Sequence, residues 1–551
     1  MASGFEALAS AVAAEGIEVV FGITGGSNDR MVSELVSRHG VRFIQTRHEQ
    51  GAVGMADGYS RVTGKVGVAT VEKGPGLTNT ATAMTAARLS RSSVLLIAGD
   101  KMTGSRHGNM DIDQPPFIRA TAGALQQVNG PETLADDVQL AFRHVRLGLG
   151  PMVLNVPTSV SLAEMPADWA YAPSAGVLPA RQAPAADPER LAAIVELVKR
   201  SSRPVVLGGR GAIRSGAREA LVALADEIGA VLVTSLHAKG LFRGHPFDVG
   251  VSGGFTPSQG RAILNEADLV LVFGASLNLY TVDHGRLYPN ATLVQVDVEP
   301  ANIGAIAPVN EAVVGDAKAT AQALRAALGE ETRNGWRSQK LAARIAAIDP
   351  WADCDFTERK GYVNRHELVR ICEEMLPHDR LLVVGIGHFM GMPAAHISVP
   401  SPEDQVLPWR LGAIGSGLPA AVGAAIARPD RTVVVFEGDG SFMMTLQDLE
   451  TAARYRIPLV VIIENDAGYG SERRSMISRG DDPALANFAN PDFAAVARAF
   501  GCDGHTVRSA DELRDVLATL GRPAKPVLID AMISTEESDA RMVYVRSGGP
   551  V

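Results

Sequence analysis

Short apolar runs alternate with amphipathic, helix-like stretches along most of the 551-residue chain. In the first part the runs are IEVVFGIT (17–24), VRFIQT (41–46), VGVATV (66–71), SVLLIA (93–98) and PMVLNV (151–156). Runs of this length without polar alternation mark strands covered on both faces. Helical patterns between them predict βα units and a parallel sheet. A Pro/Ala-rich stretch, YAPSAGVLPARQAPAADPER (171–190), reads as a linker. The alternation resumes with PVVLGG (204–209), AVLVTS (230–235), DLVLVFG (268–274) and TLVQVDV (292–298). A charged helical connector is expected over about 331–362, and then a third set of runs: RLLVVGIG (380–387), TVVVFEG (432–438), PLVVIIEN (458–465) and PVLIDA (526–531). The predicted fold is α/β, with three doubly wound parallel-sheet domains over 1–170, 189–330 and 363–540. The first and third units share a plan, and there is no short-period repeat.

Composition narrows the function classes. The chain is 46% hydrophobic and 21% charged, as in compact globular proteins. Its length implies roughly three domains. A net charge of −9 argues against a general nucleic-acid or anionic-membrane binder, although a local anion site stays open. Cys354, Cys372 and Cys502 show no metal-type spacing and no disulfide framework. They read as thiols in a reducing compartment, so a cytoplasmic location is expected. The N-terminus lacks a basic region before an apolar stretch, and no window approaches the ~20 apolar residues of a membrane span.

The segment GDGSFMMTLQDLETAARYRIPLVVIIENDAGYG (438–470) carries the clearest chemistry. An apolar strand runs into Gly438-Asp439-Gly440-Ser441, a helical stretch follows, and a second strand ends at Asn465-Asp466. Both aspartates thereby fall at the C-terminal ends of parallel strands, where open α/β sheets bind ligands. Two carboxylates beside a glycine turn suit a hard cation bridging a diphosphate. Gly-Asp-Gly alone is no more than a tight turn; the whole strand–turn–helix–strand arrangement is what argues for a site.

This segment resembles the diphosphate-binding motif of thiamine diphosphate (ThDP) dependent enzymes, the group of acetolactate synthase, benzaldehyde lyase, pyruvate decarboxylase and oxalyl-CoA decarboxylase. The family pattern ends in Asn-Asn, whereas here the second position is Asp466, 27 residues after Asp439. The resemblance implies that Asp439, Asp466 and the Gly468 carbonyl hold Mg²⁺. It implies that Gly438, Gly440, Ser441, Tyr469 and Gly470 border the diphosphate. RHEQGAVGMADGYSRVTG (47–64) resembles the segment with the catalytic glutamate, here Glu49. Such a carboxylate, bonded to N1′ of the aminopyrimidine, favours the imino form whose 4′-nitrogen takes the thiazolium C2 proton. In isolation the same Glu49 is an ordinary helix N-terminal charge.

Three further segments are similar to family elements. RLGAIGSGLPAAVGAA (410–425) would hold the pyrimidine, with the Gly412 carbonyl accepting from the 4′-amino group and Ile414 bending the cofactor. KGPGLTN (73–79) places Gly74, Pro75 and Asn79 beside the pyrimidine, and VVGIGHFMG (383–391) offers Gly387, His388 and Phe389 to the diphosphate. The resemblance covers nearly the whole chain, in the order pyrimidine-binding, central and diphosphate-binding domain. It implies a homodimer or homotetramer in which Glu49 of one subunit meets Asp439 of another.

Substrate residues are less defined. In FGITGGSNDR (21–30), Ser27 and Asn28 are candidates to orient the substrate, Asn28 equally well as a helix N-cap. Met110 stands where many relatives have a glutamine, with Gln114 nearby; Lys73 meets an anionic substrate or pairs with Glu72. Tyr469, Glu472 and Arg473 follow the metal loop. GGRGAIRSGA (208–217), SGGFT (252–256), FGASLNL (273–279) and VDVEPANIG (296–304) resemble segments that bind FAD or ADP in some relatives and nothing in others. The resulting expectation is a ThDP- and Mg²⁺-dependent carbon–carbon lyase or carboligase, acetolactate synthase-like, acting on a 2-keto acid or 2-hydroxyacyl substrate. One alternative is a 2-hydroxyacyl-CoA lyase or oxalyl-CoA decarboxylase-like enzyme, with Arg541 and Arg546 in a closing tail. Another is a nucleotide-binding relative without chemistry.

Overall fold

The computed structural model describes residues 2–105, 108–179, 183–329 and 335–536. Among these residues eighteen strands form three six-stranded, all-parallel sheets with helices between the strands. The first sheet comprises β1 (Val19–Gly22), β2 (Arg42–Gln45), β3 (Gly67–Val71), β4 (Val94–Asp100), β5 (Leu125–Gln127) and β6 (Met152–Pro157). The second comprises β7 (Pro204–Gly208), β8 (Val231–Thr234), β9 (Asp248–Val251), β10 (Leu269–Phe273), β11 (Thr292–Asp297) and β12 (Glu311–Val314). The third comprises β13 (Leu381–Val384), β14 (Gln405–Val406), β15 (Val433–Gly438), β16 (Val460–Asn465), β17 (Asp503–Val507) and β18 (Val527–Met532). The inner strands are buried on both faces, as their unbroken apolar runs require.

Strand order reveals where ligands belong. The first sheet runs β2-β1-β3-β4-β6-β5 and the third β14-β13-β15-β16-β18-β17, the same order when each is counted from its own first strand. The shared plan seen in the sequence is therefore a shared topology. In both, the chain leaves in opposite directions after the first and third strands, so a crevice opens between β1 and β3 and between β13 and β15. The second sheet runs β12-β11-β10-β7-β8-β9, the order of dinucleotide-binding folds.

Two glycine-rich helices join the first and third units. Helix Glu49–Thr63 crosses helix Gly417–Ala427 with their backbones in contact. A Cβ on Gly58 would lie 2.1 Å from the Ala420 carbonyl oxygen, and one on Gly423 1.9 Å from that of Met55. The small residues of both segments are thus required by this crossing. Lys239 links the second and third units, its buried ammonium donating to the Ala394 and Ile397 carbonyls.

The structure corrects two expectations. The connector after the second unit is not one helix; among its described residues only Gln339–Ala346 is α-helical, and 347–362 has no α-helix. Strands β5, β9, β12, β14 and β17 follow no apolar run, and each lies at a sheet edge. An edge strand meets neighbours on one side only and does not need a continuous apolar sequence.

Candidate active site

The residues expected at the two ends of the cofactor lie at strand ends and a helix start of the two matching units. In the third unit β15 ends at Gly438, so Asp439 opens helix Asp439–Thr445. Adjacent β16 ends at Asn465, with Asp466 next. The chain then turns through Ala467 at φ +53°, a strained value for a residue with a Cβ, as functional turns often hold. That turn aims the Gly468 N–H at Asp439 Oδ2, 2.9 Å away, where Asn490 Nδ2 also donates at 2.7 Å. Burial, then the neighbouring charge of Asp466, pushes the Asp439 carboxyl up to about 6.

Asp466 is held differently. Burial opposes its charge, yet the groups around it hold the carboxyl below the usual carboxylate range. Arg473 donates to its Oδ2 at 2.5 Å, Arg365 lies 3.9 Å away, and His388 Nε2 lies at 3.2 Å. Burial and Arg365 hold His388 down at about 4, so the ring is neutral at pH 7. A neutral ring whose Nε2 accepts from Arg365 at 2.6 Å has no proton there for Asp466. The carboxylate therefore rests on the arginines. Its other oxygen, Oδ1, is buried and has no partner.

The glycines around this turn are set by close packing. A Cβ on Gly470 would sit 2.3 Å from His388 Cε1 and 2.6 Å from Asp466 Oδ2. One on Gly440 would meet the Tyr469 ring at 2.6 Å, and that ring stands edge-on to Phe488. Phe389 is buried and fills the space beside Gly387 and Gly438. Ser441 is committed internally: its hydroxyl donates to Glu437 Oε2 at 2.5 Å and accepts from Gly415 N at 2.8 Å. Glu437, which the sequence reading passed over, is fully buried and also takes the Leu418 N–H at 2.9 Å. It ties the Gly-Asp-Gly strand to the segment of Gly412 and Ile414; its one signal was an acidic residue inside an apolar strand. Gly412 is exposed at φ +76° and Ile414 half-buried, so both border open space.

In the first unit Glu49 opens helix Glu49–Thr63, where the helix dipole favours a carboxylate. Its Oε2 accepts from Asn79 Nδ2 at 2.9 Å, and a Cβ on Gly76 would lie 3.5 Å from its Oε1. The turn after β3 thus folds back over the start of this helix. Gly74 at φ +62° is pressed against the Met110 carbonyl, which a Cβ would approach to 1.9 Å. Pro75 occupies the first turn of the short helix that follows.

Several substrate candidates have other duties. Gln114 is buried, accepts from Gly74 N at 2.8 Å and donates to Gly99 O and Asn155 Oδ1. It braces the turn. Met110 is exposed. Asn28 makes no cap bond; its amide closes its own loop through Gly25 N, Ile23 O and Thr70 Oγ1. Ser27 Oγ is buried and partnerless over Gly99, and Ser27 N donates to Glu72 Oε2. Lys73 pairs with Asp111 at 2.8 Å, not with Glu72 as the sequence suggested. Glu72 is taken instead by the Ser27 and Lys73 N–H groups.

Asp439, Asp466 and the Gly468 carbonyl fit Mg²⁺, which uses one or two carboxylates and completes its shell with phosphate oxygens and water. The partnerless Asp466 Oδ1 is the observation behind that fit. Among the described residues no group of three or more His, Cys, Asp or Glu forms a ready-made cage. In the second unit Gly209 and Gly211 pack on the backbone of Gly274, which accounts for these glycines without a nucleotide. Arg541 and Arg546 lie outside the described residues. No described helix is long and apolar enough to cross a membrane.

Comparison with known proteins identifies the family. Residues 2–129 match the N-terminal TPP binding domain of thiamine pyrophosphate (ThDP) enzymes, 191–324 their central domain, and 385–531 their C-terminal TPP binding domain. A probable 2-ketoarginine decarboxylase of Pseudomonas aeruginosa is 33% identical over 533 residues, 94% of this chain and 92% of the relative. A probable acetolactate synthase large subunit of Methanocaldococcus jannaschii is 28% identical, covering 97% of this chain and 92% of its own. A sulfoacetaldehyde acetyltransferase of Roseovarius nubinhibens is 28% identical, covering 96% and 92%. With all three domains matched in order and one relative similar along nearly its whole length, the chain belongs to the thiamine diphosphate-dependent enzymes.

Proposed function

We propose that this chain is a Mg²⁺-dependent lyase or carboligase that cleaves or forms the bond next to the carbonyl of a 2-keto acid. The observation that carries the metal is the buried, partnerless Asp466 Oδ1 at the strand end next to Asp439. Bound thiamine diphosphate supplies an acidic thiazolium carbon that adds to a carbonyl and accepts the electron pair of the broken bond. Glu49 holds a proton-accepting carboxylate at the pyrimidine end, oriented by Asn79. The Gly412 carbonyl would accept from the pyrimidine amino group, and Ile414 would pack beside the bound cofactor. Asp439, Asp466 and the Gly468 carbonyl hold the metal, and Gly438, Gly440, Ser441, Tyr469, Gly470, Gly387, His388 and Phe389 shape the diphosphate crevice. Ser27 and Asn28 present the loop that faces the substrate, with Gly74 and Pro75 at its border.

The reading divides the chain into a pyrimidine-binding domain (1–170), a central domain (189–330) and a diphosphate-binding domain (363–540), in a cytoplasmic enzyme. It places active sites between subunits of a homodimer or homotetramer. Support comes from the start of helix Glu49–Thr63, where Gly51 meets Asp448, nine residues past Asp439 and in the next helix, Gln447–Arg454. A contact at this place leaves the meeting of Glu49 with Asp439 to a second subunit. A 2-keto acid is favoured because the 33% identical relative is named for decarboxylating one.

The test is calorimetry with thiamine diphosphate and Mg²⁺, followed by product analysis with pyruvate, a longer 2-keto acid, benzoin and a 2-hydroxyacyl-CoA. Binding with turnover of a 2-keto acid is expected. Turnover of the acyl-CoA alone would replace the substrate class, and no binding would remove the reading.

A further inference from the structure

The Arg473 guanidinium reaches back against the 466–468 turn from the helix that follows it. It follows Asp466 by seven residues, in helix Gly470–Arg479, and is 4% exposed. One of its nitrogens donates to Asp466 Oδ2, and the other to the Asp466 carbonyl at 3.1 Å and Asn487 Oδ1 at 3.0 Å. A Cβ on Gly468 would lie 3.0 Å from that second nitrogen. Gly468 in turn is bridged to Asn487 as an isolated antiparallel pair. One side chain therefore fixes Asp466 and ties it to Asn487, which is bridged to Gly468 at the other end of the turn.

Two positive charges converge on one oxygen. Arg473 and Arg365 lie against Asp466 Oδ2, with the neutral His388 ring beside them, while Oδ1 on the same carboxylate is buried and bare. A carboxylate so gripped has a fixed rotation, with its free oxygen turned away from the cations. The family pattern has a neutral asparagine at this position. Here a carboxylate with a buried guanidinium stands in its place, and the two together carry the charge of an amide.

We propose that Arg473 is a positioning residue which orients Asp466 Oδ1 toward the metal and cancels the extra negative charge that an aspartate brings to the diphosphate site. This rests on the metal-binding reading of Asp439 and Asp466. Asp466 and Arg473 then form a unit that works only as a pair. Removing the arginine leaves a buried carboxylate repelling the diphosphate and free to rotate. Replacing the aspartate alone leaves a buried guanidinium repelling the cation.

The experiment uses the full-length chain with D466N, R473M, R473K and the double variant D466N/R473M. Mn²⁺ binding is read by electron paramagnetic resonance in the presence of thiamine diphosphate, and Mg²⁺ half-saturation by the thermal shift it produces. Each single replacement that unbalances the pair should weaken metal binding by about tenfold or more, the scale of lost support to a metal ligand. The double variant should bind more tightly than D466N, and R473K should fall between R473M and the parent. If R473M does not fold, the order of D466N and the double variant still decides. Metal binding by D466N equal to the parent, or a double variant weaker than D466N, overturns the role of Arg473 alone. A parent chain that binds no metal with the cofactor removes the underlying reading, and this role with it.

Discussion

Asn79 Nδ2 donates a 2.9 Å hydrogen bond to Glu49 Oε2, joining the turn after β3 to the first residue of the helix that carries the glutamate. The two residues are 30 apart in the chain. The bond fixes the rotation of a carboxylate that the account requires to face the cofactor.

Replacing Asn79 by Ala should free that carboxylate without removing it. A hydrogen bond to a charged group is worth about 1.5–3 kcal/mol, so kcat/KM should fall about 10- to 100-fold. The loss should be smaller than that of Glu49→Gln. Steady-state kinetics on the accepted 2-keto acid checks it; an unchanged rate would show that Glu49 needs no help from Asn79.

Gly470→Ala should damage the diphosphate crevice more than the fold. The new methyl would collide with His388 and Asp466, which sit where a Cβ must go. Either those groups move or the helix start does, and both displace the carboxylate. Calorimetry should show cofactor affinity with Mg²⁺ reduced at least about tenfold, as for other changes behind a metal ligand. Denaturant unfolding of the metal-free chain should change little by comparison.

Asp448 gives a pH prediction. Its carboxyl is fully buried against Gly51, neither oxygen has a partner, and burial pushes it from 3.8 up to about 8. Between those values the folded chain keeps a proton that the unfolded chain has lost. Stability therefore falls as pH rises from about 4 to about 8 and levels off above it. Asp448→Asn cannot ionise, so it should lose this slope and unfold at higher denaturant than the parent at pH 8. The difference between variant and parent should grow steadily with pH across this range, because only the parent has a carboxyl to titrate. Parallel profiles for parent and variant between pH 5 and pH 8 would reject it.

These residues also show how far the sequence could be read. Inner strands such as β15 and β16 were plain, because burial on both faces demands an unbroken apolar run. The edge strands β5, β9, β12, β14 and β17 were not, because half their surroundings are not core. Asp439, Asp466 and Glu49 were legible through their motifs and through their place at strand ends and a helix start. Their partners were not. Nothing in the spacing says that Lys73 turns to Asp111, that Gln114 braces Gly74, or that Arg473 grips Asp466. Such pairings depend on how separate loops fold over one another at the sheet edge. Glu437 was hidden for a related reason: a charge within an apolar strand has meaning only once Ser441 and the Leu418 N–H are seen to meet it.

In the proposed mechanism Glu49 activates a cofactor whose diphosphate is held at Asp439. The most direct measurement is hydrogen–deuterium exchange at C2 of bound thiamine diphosphate, followed by quenched-flow NMR in the parent and in Glu49→Gln, with cofactor binding confirmed by calorimetry in both. The account predicts that the variant still binds the cofactor with Mg²⁺ but exchanges the C2 proton at least about a hundredfold more slowly, the scale of a lost general base. Equal exchange rates in the two proteins, with the cofactor bound to both, would contradict it.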